Sequence, residues 1–160
     1  NDSKLLSSKK RQICFNHIKE LKKLSLIDFS LGEATVNEID SINILQASLL
    51  AMKRAISKVS YKKVLFLIDG NYIPNIINIK CKNVIQGDKK SISIAAASII
   101  AKEHRDNIMR KLSKFYPTYD WNNNMGYGTK KHINTLELEG ITKHHRKTFK
   151  PVAKFIHNNS

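Results

Sequence analysis

Seven residues, KVLFLID at 63–69, constrain this chain more than any other stretch. The run is apolar without alternation and stops on a carboxylate, with Gly70 and Asn71 next. Unbroken hydrophobicity of this length marks a strand covered on both faces of a sheet. Such a strand needs helices on either side, and the flanking sequence offers them. Residues 3–23 carry Leu5, Leu6, Ile13, Cys14, His17, Ile18 and Leu21 at helical spacing. From Asn37, read as an N-cap, to about Val59 a stripe of Ile39, Ile42, Leu45, Leu49, Met52 and Ile56 predicts a second, long helix. A third runs from Ser91 to about Phe115, and a short fourth from about Lys130 to Glu139. Further strands are expected at 26–34, closed by a Gly turn, and at 83–87, closed by Gly87. The segment 116–129 reads as a loop, and the basic tail as partly helical. Strand–helix alternation of this kind defines an α/β layer architecture.

In open α/β sheets, sites lie where strands end. Asp69 is therefore a candidate from topology, and Asp88, after the next predicted strand in IQGDKK, is its natural partner. Two carboxylates at adjacent strand ends suit a hard cation such as Mg²⁺ or Mn²⁺. The bland alternative keeps both as turn and cap residues, because DG is a common turn dipeptide and Asp a common cap.

Charge sharpens the choice. The chain has 28 Lys and Arg against 13 Asp and Glu, a net charge of +15. This points to a polyanion partner such as nucleic acid. Lys outnumbers Arg 23 to 5, so part of the excess also fits AT-rich codon usage. A phosphate ligand meeting paired carboxylates implies an intervening metal and phosphoryl chemistry. In MGYGTKKH (125–132), Gly126 and Gly128 allow close backbone approach, and Tyr127 can stack on a sugar or base. An ordinary helix-entry loop has the same look. Asp106 reads as half of a surface ion pair with Lys102, Arg105 or Arg110. Glu38 reads as first-turn charge on the helix dipole. HHRKTFK meets phosphates or solvent, and His132, His144 and His145 have no zinc spacing. Trp121 suggests nothing specific. No apolar run approaches a membrane span, and no signal peptide is visible. Cys14 and Cys81 have no metal spacing and read as reduced thiols of a cytoplasmic protein.

Taken together, NDSKLLSSKKR, EIDSINILQASLLAMKRAI, VLFLIDGN, IQGDKKSISIAAASIIAKEHRD, YPTYDW, GYGTKKH and HHRKTFKPV occur in this order. The series resembles bacterial ribonuclease HII over nearly the whole chain. The resemblance implies a single ribonuclease-H-like domain over 1–160, a mixed central sheet flanked by helices, with a C-terminal helical region from about 116. It implies an endonuclease that hydrolyses the RNA strand of RNA–DNA hybrids and incises 5′ of ribonucleotides embedded in duplex DNA. Products would be 5′-phosphate and 3′-hydroxyl ends, made by a two-metal mechanism with Mn²⁺ or Mg²⁺ in a cytoplasmic monomer. On this likeness Asp69 and Asp88 are catalytic metal ligands, Tyr127 between Gly126 and Gly128 senses the sugar at the junction, and Lys4 approaches the phosphate backbone.

The series also departs from the family. Leu5 stands where a second Lys is usual, and Glu103 where a small apolar residue is usual. The family's opening strand, with a DEAGRG segment carrying two more acids, has no counterpart here. The resemblance therefore implies absent N-terminal strands, and a sheet edge that needs covering. It leaves a rival reading, an inactive basic fragment that binds hybrids with two of four acids.

Overall fold

The computed structural model describes residues 7–59 and 64–158. The chain divides into two compact units, Asn1–Glu33 with Ser48–His104, and Ala34–Ala47 with Arg105–Ser160.

In the first unit, helix α1 (Ser8–Lys23) begins where the Ser7 side chain accepts from the Lys10 N–H. Strand β1 (Leu65–Asp69) pairs in parallel with β2 (Lys80–Val84), Asp69 opposite Val84. The expected second strand therefore lies a few residues earlier than 83–87. Residues 85–86 turn, and a short helix α3 (Gly87–Lys90) follows. Parallel neighbours usually require a crossover helix, but residues 70–79 connect these two without one. Helix α4 (Ile92–Phe115) starts as expected and supplies Ile99 and Ile100, which pack with Ile18 of α1, Phe29 and Leu31.

The expected strand at 26–34 does not form. Side chains rather than a ladder satisfy its carbonyls. Lys22 Nζ donates to Phe29 O at 2.5 Å, Lys58 Nζ to Leu31 O at 2.8 Å, and Arg54 Nη1 to Glu33 O at 2.7 Å. With its acceptors used in this way, the segment runs irregularly along the helices.

Helix α2 (Val36–Ile56) begins before Asn37. Its cap is a reciprocal box. The Glu38 carboxylate accepts the Thr35 N–H at 2.8 Å, and Thr35 Oγ1 accepts the Glu38 N–H at 3.2 Å. The helix is not one continuous stripe. Asn43 breaks it at φ 66°, ψ 167°. Its Oδ1 accepts the N–H groups of Leu45 and Gln46 at 3.0 and 3.1 Å, so it caps a restarted helix.

The second unit has its own core. Tyr119, Trp121, Leu136 and Val152 are buried together, with Met109, Leu112 and Tyr116 against them. The expected loop 116–129 is therefore partly ordered, with a 3₁₀ turn at Pro117–Tyr119 and a short helix α5 (Trp121–Asn124). Helix α6 (Lys130–Glu139) keeps its expected bounds, because Thr129 caps it and Gly140 ends it. Helix α7 (Lys150–Asn158) closes the described chain.

Candidate active site

Asp69 is the last residue of β1, and its side chain is not left to solvent alone. Its Oδ1 accepts the N–H of Gly87 at 2.8 Å. Gly70 N–H donates to Val84 O at 3.1 Å, which continues the pairing past the strand end. These two bonds draw the tip of β1 against the start of α3. Asp88, next to Gly87, sits in the first turn of that helix, where a carboxylate meets the positive end of the local dipoles. The structure thus brings together the segments carrying both predicted acids. Asp69 is exposed and Asp88 half-buried, so both carboxylates remain reachable.

Two carboxylates offer hard oxygen donors, the set suited to Mg²⁺ or Mn²⁺ rather than to a soft metal. Among the described residues no group of three or more His, Cys, Asp or Glu is placed to hold a metal. The donors thus fit such a cation in kind, and two are at hand.

Tyr127, Gly126 and Gly128 belong to the second unit. Met125 and Gly126 both take left-handed backbone, at φ 48° and 78°. A Cβ on Gly126 would also lie 3.1 Å from Met109 Cε, which would have to shift by a few tenths of an ångström. The turn throws Tyr127 outward, leaving it 63% exposed. The guanidinium of Arg105 lies 5.3 Å from its ring centroid. Lys4 lies outside the described residues.

Two expectations need correction, those for Asp106 and His145. Asp106 is not at the surface but 2% exposed, because its face of α4 turns inward. Glu38 lies in the first turn of α2, as expected, and also closes the capping box described above. His145 meets neither phosphate nor solvent. It is 6% exposed, with its ring 5.3 Å from Trp121 and 5.3 Å from the buried His132. His145 Nδ1 accepts the Thr142 N–H at 2.9 Å. Burial, and then the neighbouring His132, lower its pKa to about 4. Trp121, unassigned from sequence, stacks on Tyr119 at 5.1 Å in the core. Glu103, anomalous in sequence, is fully buried and meets Arg11 Nε at 2.6 Å. A basic residue near the chain start, on the apolar-spaced α1, was the signal that could have located this partner.

Comparison with known proteins converges on one group. The ribonuclease HII family model matches residues 1–152. A ribonuclease HII of Pelagibacter ubique is 50% identical over 155 residues, covering 97% of this chain and 81% of that protein. One from a Wolbachia of Culex pipiens is 47% identical over 95% of this chain and 74% of its own length. One from Magnetococcus marinus is 47% identical over 98% and 72%. An α/β chain with this likeness is a hydrolase, an endonuclease of the ribonuclease H type. It belongs to the ribonuclease HII family.

Proposed function

We propose that the protein is a divalent-metal-dependent endonuclease acting on RNA joined to DNA. It hydrolyses the RNA strand of RNA–DNA hybrids and incises 5′ of single ribonucleotides in duplex DNA, leaving 5′-phosphate and 3′-hydroxyl ends. It works as a monomer in the cytoplasm. Free Cys14 and Cys81 are compatible with that compartment, and no helix among the described residues is long and apolar enough to cross a membrane.

The observation that carries this reading is the bond from the Gly87 N–H to Asp69 Oδ1. It fixes one carboxylate oxygen and the backbone next to Asp88 together, on a rigid strand end. Asp69 and Asp88 would hold the cation, which supplies an activated water and neutralises charge at the leaving 3′-oxygen. The fixed Asp69 orients its second oxygen for that purpose, so little reorganisation is needed in the transition state. Tyr127, outward on its glycine turn, packs against the sugar at the junction, where the 2′-hydroxyl separates RNA from DNA. Lys4 and the other basic side chains bind the backbone.

One observation favours a second reading, a hybrid-binding chain without catalysis: the described residues supply two acids and no larger cluster. A duplex with one embedded ribonucleotide separates the two when incubated with Mn²⁺ or Mg²⁺. Cleavage by these 160 residues alone removes the binding-only reading. In the full natural chain, Asp69→Asn is expected to lower kcat by at least about 100-fold with the duplex still bound. An unchanged rate removes Asp69 from the site.

A further inference from the structure

Asn122, Asn123 and Asn124 follow one another in α5, and only the last is buried. Asn124 is 7% exposed. A buried primary amide is costly unless its donor and its acceptor both find partners. Both ends of this one are used. Asn124 Nδ2 donates to Tyr119 O at 2.8 Å, and Asn124 Oδ1 accepts the Gly126 N–H at 2.8 Å. The Tyr119 end is firmly held. Its ring stacks on Trp121 in the core, and its hydroxyl donates to Gly140 O at 2.8 Å. The amide therefore ties a core carbonyl to the turn that presents Tyr127.

That turn needs a tie. Met125 and Gly126 take left-handed backbone in succession, at φ 48° and 78°. Met125 carries a side chain there, and such conformations persist only where the surroundings impose them. The bond from Gly126 to Asn124 Oδ1 closes a side-chain turn across Met125, which needs a short polar side chain. The backbone continues the brace. The Tyr127 N–H donates to Asn124 O at 2.9 Å, and the Thr129 N–H to Tyr127 O at 2.9 Å. Tyr127 itself is exposed, so the direction of its ring depends on the backbone that carries it. An aspartate at 124 would keep the acceptor for Gly126 but turn its other oxygen on the Tyr119 carbonyl. The position uses the two-ended character of the amide.

We propose that Asn124 is a positioning residue for the reaction: its buried amide holds the glycine turn to the Tyr119 carbonyl and so sets where the Tyr127 ring meets the sugar at the RNA–DNA junction. Buried as it is, Asn124 acts through Tyr127 and not on the substrate. The inference rests on the reading of Tyr127 given above. Small displacements of a contact group lower rates strongly even when they arise away from the reacting atoms. Asp69 and Asp88 belong to the first unit and are not held by this bond. The loss on breaking it should therefore fall on substrates that present a junction.

The test uses the full natural chain and two substrates: the single-ribonucleotide duplex, which has a junction, and a continuous RNA strand on DNA, which has none. The variants are Asn124→Ala, Asn124→Asp, Tyr127→Ala, and Asn124→Ala combined with Tyr127→Ala. Asn124→Ala should lower kcat/KM on the junction duplex about tenfold and on the continuous hybrid by less than about twofold. A merely structural Asn124 would reduce only the folded fraction. Both substrates would then suffer alike and the ratio of their kcat/KM values would hold, which overturns the proposal. Asn124→Asp keeps the acceptor for Gly126 and loses the donor to Tyr119, so its ratio should fall by about threefold. If Asn124→Ala fails to fold, Asn124→Asp is read in its place, and the parent's ratio there counts against the proposal equally. The double variant should lose no more than Tyr127→Ala alone, within about twofold, because one residue acts through the other. Losses that multiply overturn that route. Tyr127→Ala with the parent's ratio refutes the reading of Tyr127, and the positioning role with it. Tyr127→Ala that loses the ratio, beside Asn124→Ala that keeps it, overturns the positioning role alone.

Discussion

The ion pair between Arg11 and Glu103 makes a quantitative test of how this chain tolerates a charge in its core. The two side chains are 11% and 0% exposed, and Nε to Oε1 is 2.6 Å. A buried pair gains little over apolar residues of the same volume, but losing one partner is expensive. Arg11→Met takes the guanidinium away from a carboxylate that has no water contact. The expected cost is about 3 kcal/mol, the low end of the range for breaking such a pair. In a chain of this size that lowers Tm by about 6–12 °C. Glu103→Val should cost less, about 1–2 kcal/mol, because the long Arg11 stem can carry its head toward solvent. The double variant Arg11→Met with Glu103→Val should return to within about 1 kcal/mol of the parent, since the charges leave together. Urea unfolding of the four proteins gives the coupling energy directly. A coupling below about 0.5 kcal/mol, or a double variant as unstable as the sum of the singles, refutes the reasoning.

Three further outcomes follow from the geometry. Asn43 occupies a backbone region open mainly to glycine and caps the restarted helix; Asn43→Ala keeps the strain and loses the cap, at about 2 kcal/mol. Asn43→Gly should cost clearly less, and equal urea midpoints for the two would count against a strained turn. A Cβ at Gly87 would sit 3.2 Å from Asp69 Oδ1 and collide with Ile94; Gly87→Ala should reduce kcat about tenfold or more by displacing the carboxylate, measured as single-turnover cleavage. His145 titrates at about 4 when folded, against 6.5 for an ordinary histidine. The unfolded chain therefore binds the extra proton first, so stability is complete above about pH 6.5 and is lost as pH falls toward 4, by up to about 3 kcal/mol. His145→Phe should flatten that part of the stability–pH curve; an unaltered curve would exclude His145 as its source.

How far the sequence revealed this molecule depended on where each residue's partner lies. Asp69 was legible because its signal is local: an apolar run, then a carboxylate, then Gly. Helix α6 was legible for the same reason, with Thr129 and Gly140 as adjacent start and stop signals. The start of α2 was written locally too, as Thr35-Val36-Asn37-Glu38, although Asn37 looked the more obvious cap. The segment 26–34 has the composition of a strand, and only the remote side chains of Lys58 and Arg54 decide otherwise. Tyr119, Trp121, His132 and His145 form a core with no regular hydrophobic period, so no pattern search would mark them as interior.

The same distinction explains why a strand-end acid is easier to read from sequence than the contacts that hold it. A strand end can be read from one stretch of chain, and the carboxylate it presents is nearly the only polar group the strand carries. What fixes that carboxylate is a backbone N–H eighteen residues on, at Gly87. A backbone group leaves no mark on residue type beyond the glycine itself. Asp40 is the converse case, a side chain holding backbone more than a hundred residues away. In both, an acid's role is set by an N–H that the sequence cannot point to. Asp69 is exposed and accepts that N–H through Oδ1 alone among the bonds described, whereas Asp40 has both oxygens engaged. By that criterion Asp69 has an acceptor to spare, and Asp40 is the acid that clamps a distant turn.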